Sequence, residues 1–370
     1  MNGPFSVYLD LVRFVAAVLV FLYHSNQRLL VQDPLPASNY GHSAVIVFFV
    51  LSGFVIAFVT DSKEKDWRTY AASRLSRVYS VALPAVALTL LLDAIGRYLY
   101  PALYQQYPWD QHVARAAISL FMLNEFWFVS VTSFSNVPYW SITYEIWYYA
   151  AFGLLTFLPG RWAWGAALGL ALLLGPKLWL LAPIWWLGVF IYRNRSLQEV
   201  SMTWAWVMLV VSVIGVLTFH VSGLQDIVKA LFKGWLGTSL YDKFTFSKFF
   251  LSDYLLAVFV AMNFVAMRRV APTMSGLWTA VGSPVRSVAA YTFTLYLLHQ
   301  PLFLFWGSVL RWSPEGHALW WAVAVLTGVS VWAIGQVTET RRHELRAWIL
   351  ALLRRIGPSL RSTRGLGHGR

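Results

Sequence analysis

The stretch LDLVRFVAAVLVFLYH, Leu9 to His24, is apolar enough to enter a bilayer, yet it carries an acid, a base and an imidazole. Eleven helical steps separate Arg13 from His24. At about 100° per residue they close about three turns, so the two side chains fall on nearly one face, about 16 Å apart along the axis. Asp10 lies one turn from Arg13, within pairing reach. A charge at the centre of a span costs about 2.5–3.5 kcal/mol on insertion scales. This face is therefore expected to look into a protein interior or a wet cleft, with the other segments packed around it.

Composition fits that picture. Of 370 residues, 58% are hydrophobic and 12% charged, against about 25% charged in a soluble domain. The expected fold is an all-α membrane protein, a polytopic bundle of about ten transmembrane helices. The spans are placed near 5–27, 43–60, 78–97, 138–158, 162–175, 178–192, 203–221, 250–267, 286–310 and 317–338. Residues 162–192 are read as a tight pair broken at Gly175-Pro176-Lys177. With that pair and both termini cytoplasmic, the inner segments hold roughly twice the Lys and Arg of the outer ones; a single long span reverses the bias. Residues 1–340 are expected to form one membrane domain and 341–370 a basic cytoplasmic tail, a surface helix followed by a disordered end that meets anionic lipid. Twenty Trp and eighteen Tyr suit interfacial belts. The outer loops 98–137 and 222–249 are long, and a stretch near Gln111–Phe128 is expected to form an amphipathic surface helix. The net charge of +13 is read as topology and lipid contact rather than nucleic-acid binding. No cleavable signal peptide is expected, since the first apolar run holds Asp10 and Arg13.

His24 leads the candidate catalytic residues. A neutral imidazole takes a proton from a hydroxyl near pH 7 or carries an acyl group as a nucleophile; the bland reading is a structural histidine hydrogen-bonded to a neighbouring helix. Arg13 either pairs with Asp10, which is read as its structural partner, or stabilises a developing oxyanion. Arg74 and Arg77 in RLSR share a helix face at i, i+3 and can grip one polyanion, or simply mark a topogenic basic loop. Glu145 in PYWSITYEIWYY can orient an imidazole, accept a proton or pair with arginine. Glu339 is read as pairing with Arg341 or Arg342, and His299 has no assigned role. His42, His220 and His317 are given structural readings. The chain has no cysteine, which excludes thiol nucleophiles and disulfides. It also has no HExxH, Walker loop, GxSxG or HxxxxD pair, and no metal site is expected.

Five motifs in order resemble the acyltransferase-3 family of membrane proteins, which O-acetylate bacterial surface glycans. They are LDLVRFVAAVLVFLYH, FFVLSGFVI (48–56), RLSR (74–77), YWSITYEIWYY (139–149) and YTFTLYLLHQPL (291–302). The chain departs from the family pattern in two places. Leu11 and Val12 stand where a glycine usually follows Leu-Asp, and Glu339 is followed by Thr340-Arg341-Arg342 rather than Arg-Pro. The resemblance implies acetyl-CoA, or another short acyl-CoA, as a cytoplasmic donor with no metal. It implies a glycan or glycosylated acceptor, with exopolysaccharide and lipopolysaccharide among the classes, in a multi-pass inner-membrane protein. His24 would be the catalytic histidine and Arg13 its partner, with Arg74 and Arg77 on the CoA phosphates. Many relatives carry a fused extracytoplasmic esterase-like domain; this chain is expected to act without one, alone or with glycan-assembly proteins. A transporter or flippase using Asp10, Arg13, His24 and Glu145 as a charged relay is the alternative, and a structural partner of a glycan-assembly complex is the third reading.

Overall fold

A computed structural model describes residues 3–355. The chain begins with α1 (Gly3–Ser25), α2 (Gly41–Lys63) and α3 (Trp67–Leu99). Next come α4 (His112–Leu120) and a hairpin in which β1 (Glu125–Phe126) pairs antiparallel with β2 (Val129–Ser130). Helices α5 (Trp140–Phe157) and α6 (Gly160–Leu174) lead to Gly175, after which α7 (Pro176–Leu180) and α8 (Ala182–Arg193) turn back. The chain continues through α9 (Arg195–Gln198), α10 (Met202–Val221), α11 (Leu224–Leu236), α12 (Thr238–Lys243) and α13 (Phe250–Val270). It closes with α14 (Ser275–Ala289), α15 (Thr292–Leu310), α16 (Ala318–Thr338) and α17 (Arg342–Arg354).

Among the described residues, seven helical segments are long and apolar enough to cross a bilayer. The arms 160–174 and 176–193 pass that test only together, and they are bent by 117° at the break. Gly175 sits at φ 85°, a conformation open to glycine, so the chain folds back here rather than running on as one straight span. Lys177 is fully buried in this turn and paired with the buried Glu125 of the hairpin. Helix α5 is not among the seven. It carries Ser141, Thr143, Tyr144, Glu145, Tyr148 and Tyr149, and all of these but Glu145 are buried within the bundle.

Three boundaries differ from the sequence reading. Helix α3 begins at Trp67, not near 78, and its 33 residues extend about 50 Å. Its cap explains the early start: the Asp66 carboxylate accepts the Arg68 and Thr69 amides, both at 3.1 Å. Burial pushes that carboxyl up, but the Thr69 hydroxyl and these amides outweigh it and hold it below its usual range. RLSR therefore lies inside a helix rather than in a loop before one. The 286–310 segment divides at residues 290–291 into α14 and α15. Only 112–120 of the expected amphipathic stretch is helical; a turn and the start of the hairpin fill the rest. Helix α17 occupies the start of the basic tail, whose final residues lie outside the described range.

Helices α2 and α8 cross in close contact. A Cβ on Gly53 would run into the Trp185 carbonyl, and one on Gly188 into the Val50 carbonyl and the Phe54 amide. Small residues let membrane helices approach in this way, and here the approach carries Trp185 to Ser52, whose hydroxyl accepts the indole N–H at 3.1 Å. Gly188→Val is expected to abolish the folded, monodisperse species on size exclusion. Gly169→Val, where nothing lies within 4 Å, is expected to preserve it.

Candidate active site

One cavity of about 280 Å³ lies among α1, α2, α3, α5 and α15, at the end of the bundle where α16 meets α17. Its wall carries three guanidinium groups, Arg13, Arg77 and Arg342, and two carboxylates, Glu145 and Glu339. Each is placed by a different helix or junction. Arg13 pairs with Asp10 at 3.3 Å and still reaches the wall. Glu145 accepts hydrogen bonds from the Ser52 and Tyr149 hydroxyls, so its partners are hydroxyls and not an imidazole. Glu339 accepts the Thr294 amide in the first turn of α15 at 2.8 Å, where the helix leaves amides unbonded and favours negative charge. Neither Arg341 nor Arg342 forms an ion pair with it, contrary to the sequence expectation.

RLSR divides. Arg77 lines the cavity, half-buried, with no carboxylate at ion-pair distance among the described residues. Arg74 is absent from the wall; it is 5% exposed, bonded to the buried Glu64 and set against the Tyr70 and Tyr149 rings at 5.3 and 5.9 Å. Glu64 terminates α2 and captures the arginine that the i, i+3 spacing had assigned to a shared anion face. Arg342 stands beside Arg77 instead. It is exposed at the cavity mouth and likewise lacks an ion-pair partner. One turn further along α17, Arg346 donates to Ser73 Oγ at 2.9 Å and fixes this helix against α3. Two guanidinium groups with no carboxylate at ion-pair distance, on a wall that also holds Glu145 and Glu339, can take an anion between them.

His24 lies beyond the cavity's far end, not on its wall, so Arg13 and His24 do not share one cleft in this conformation. The nearest ring to it on α15 is His299, with centroids 5.3 Å apart. His299 is fully buried, and its Nδ1 lies 3.0 and 2.9 Å from the Leu295 and Tyr296 carbonyls. Those contacts fix Nδ1 as the protonated nitrogen and leave the Nε2 lone pair without a partner. Tyr296 lines the cavity, hydrogen-bonds Ser141 at 2.6 Å, and has its ring 6.4 Å from His299. The order from the mouth inward is thus Arg342 and Arg77, then Glu145, then Tyr296, then His299 and His24. Two other histidines are held by side chains: His42 by Asp253 at 2.9 and 3.0 Å, and His220 by Ser43 at 2.9 Å.

A helical membrane bundle with a cationic cavity mouth and, beyond it, the buried His299 beside the half-buried His24 defines the class. Residues 6–336 match the acyltransferase domain family, acyltransferase 3, and the chain belongs to that family. Over 172 residues it is 28% identical to "Acyltransferase MdmB" of Streptomyces mycarofaciens. That stretch covers 43% of this chain and 42% of the relative, so the match spans less than half of the relative's length. No solved structure matches the chain significantly.

Proposed function

We propose that this protein is a membrane O-acyltransferase that takes a short acyl group, acetyl in the simplest case, from acyl-CoA and delivers it to a hydroxyl of a glycosylated acceptor. One observation carries the reading: Arg77 and Arg342, both without ion-pair partners among the described residues, line one cavity whose inner end abuts the ring wall in front of His24. The donor's phosphates sit between the two guanidinium groups, and its extended arm runs inward past Glu145 to Tyr296. The mouth lies at the end of the bundle that carries Lys63, Lys65, Arg68 and α17. The bias of Lys and Arg supports a cytoplasmic placement for this end, where acyl-CoA is found, in an inner-membrane protein. Glu339 keeps the donor's anionic groups from advancing past the mouth.

The chemistry proposed for the far end balances simply. His24 takes the proton of the acceptor hydroxyl, the hydroxyl oxygen bonds to the acyl carbon, the carbon–sulfur bond breaks, and the proton goes to the departing sulfur. In the second route an imidazole nitrogen of His24 bonds to the acyl carbon, the carbon–sulfur bond breaks and CoA leaves as the thiol with the imidazole proton; the acceptor hydroxyl then bonds to that carbon, the carbon–nitrogen bond breaks and the hydroxyl proton returns to the imidazole, so acyl-histidine trapped by rapid quench separates the two routes. In both routes the Tyr296 ring must swing away from Ser141 for the thioester to pass.

The test of the donor site is CoA binding to the purified protein in nanodiscs. Arg77→Gln and Arg342→Gln are each expected to weaken CoA about ten- to a hundredfold, the loss of charge-assisted hydrogen bonds worth about 1.5–3 kcal/mol. Unchanged CoA affinity in both variants would remove the donor site from this cavity.

A further inference from the structure

The depth of the cavity follows from the registers of the helices around it. Along α2 the lining runs from Ile56 at the mouth end to Val45 at the far end. Eleven helical steps separate these two residues, which makes about 16 Å. Helix α5 runs alongside, with Tyr149 and Glu145 toward the mouth and Ile142 and Ser141 at the far end, and α15 reaches the same depth at Tyr296. The floor is mostly apolar. Val45, Phe49 and Ile142 line it and are 5%, 2% and 3% exposed; the hydrogen-bonded Ser141 and Tyr296 hydroxyls supply its polar part.

This floor is braced from behind. The Phe49 ring has the Trp140, Tyr144 and Tyr148 rings around it, with centroids 6.3, 6.3 and 5.8 Å away. Phe48 meets the Tyr296 ring edge to face at 5.3 Å. One turn beyond Val45, Gly41 lies so close to the Tyr23 side chain that a Cβ would overlap it, so α2 is pressed onto α1 there. A close-packed interior does not admit extra methylenes without cost. The length of the donor can be set against this depth. Between the phosphate and the sulfur of CoA lies a chain of about twelve bonds, the length of about four extended residues, or about 14 Å. With the phosphates at the arginine mouth, about 2 Å of cavity remains beyond the sulfur, about the reach of an acetyl group.

We propose that Val45 and Ile142, braced beside Phe49, are the stop against which the acyl group of the donor ends, and that they select acetyl over longer chains. The methyl of acetyl meets their apolar side chains. A four-carbon chain has to displace one of them, and the ring stack behind Phe49 leaves no slack to take it up. The inference rests on the donor reading above and fixes the acyl group that the reading left only as short.

The experiment measures binding of CoA, acetyl-CoA, butyryl-CoA and hexanoyl-CoA to the purified protein in nanodiscs, without acceptor. Each thioester is read as a ratio to CoA in the same variant, so a general loss of affinity cancels. In an open apolar site each added methylene tightens binding about fourfold; a stop reverses that trend. Butyryl-CoA is therefore expected to bind the wild type about tenfold or more weakly than acetyl-CoA, and hexanoyl-CoA more weakly still. Val45→Ala is expected to bring butyryl-CoA within about threefold of acetyl-CoA. Ile142→Ala makes the same test from the other helix and serves if the Val45 variant does not fold. A wild type that binds CoA and keeps or gains affinity from acetyl to hexanoyl, or folded variants with undiminished discrimination, overturns the stop alone. A wild type that binds no CoA overturns the donor reading and the stop with it.

Discussion

His24→Ala is expected to lower acyl transfer by about two to four orders of magnitude, the range that a positioned general base supplies, while CoA affinity is unchanged. The two effects separate because of where the residue sits. The arginine mouth and the cavity wall, the proposed donor site, do not include His24, which lies behind the Tyr296–His299 wall. Steady-state transfer together with CoA binding on the same preparation checks this. A variant that keeps full transfer removes His24 from the chemistry, and one that loses CoA affinity shows that the imidazole belongs to the donor site instead.

The second large effect concerns Arg74, and it is an effect on stability. The Arg74–Glu64 pair is buried on both sides. Removing one member of such a pair leaves an uncompensated charge and costs about 3–5 kcal/mol, whereas replacing both by apolar residues is near neutral. Arg74→Met is therefore expected to lower the thermal midpoint sharply, and Arg74→Met with Glu64→Met to restore most of it. The restored double variant is expected to bind CoA as the wild type does, because Arg77 and Arg342 remain. Weak CoA binding in that stable double variant would return Arg74 to the donor site.

That contrast shows what the sequence could and could not supply. The helical membrane class followed from apolar runs, and the fold-back at Gly175-Pro176 followed from local backbone chemistry. The start of α3 was missed because hydropathy begins after RLSR, although Asp66 followed three residues later by Thr69 is a legible cap. Asp10 and Arg13, one turn apart, are a local pair and were readable as such. The division of Arg74 from Arg77 depends on Glu64, ten residues upstream across a turn. Glu64 was visible in Lys63-Glu64-Lys65, but nothing in the spacing told which arginine it would take. Arg342 and His299 come to the candidate site from distant segments, and no periodicity announces such contacts. Only Pro301, which frees the Leu297 carbonyl, gave a local hint that α15 would need a polar partner near His299.

The most direct measurement is a cryo-EM structure of the protein in nanodiscs with a non-hydrolysable acetyl-CoA analogue in which a methylene replaces the thioester sulfur. The phosphates are predicted between Arg77 and Arg342, with the acyl end at a displaced Tyr296, facing His24. Phosphates bound away from this pair, or an acyl end that stops short with the Tyr296–Ser141 bond intact, would contradict the path from the arginine mouth to the imidazoles.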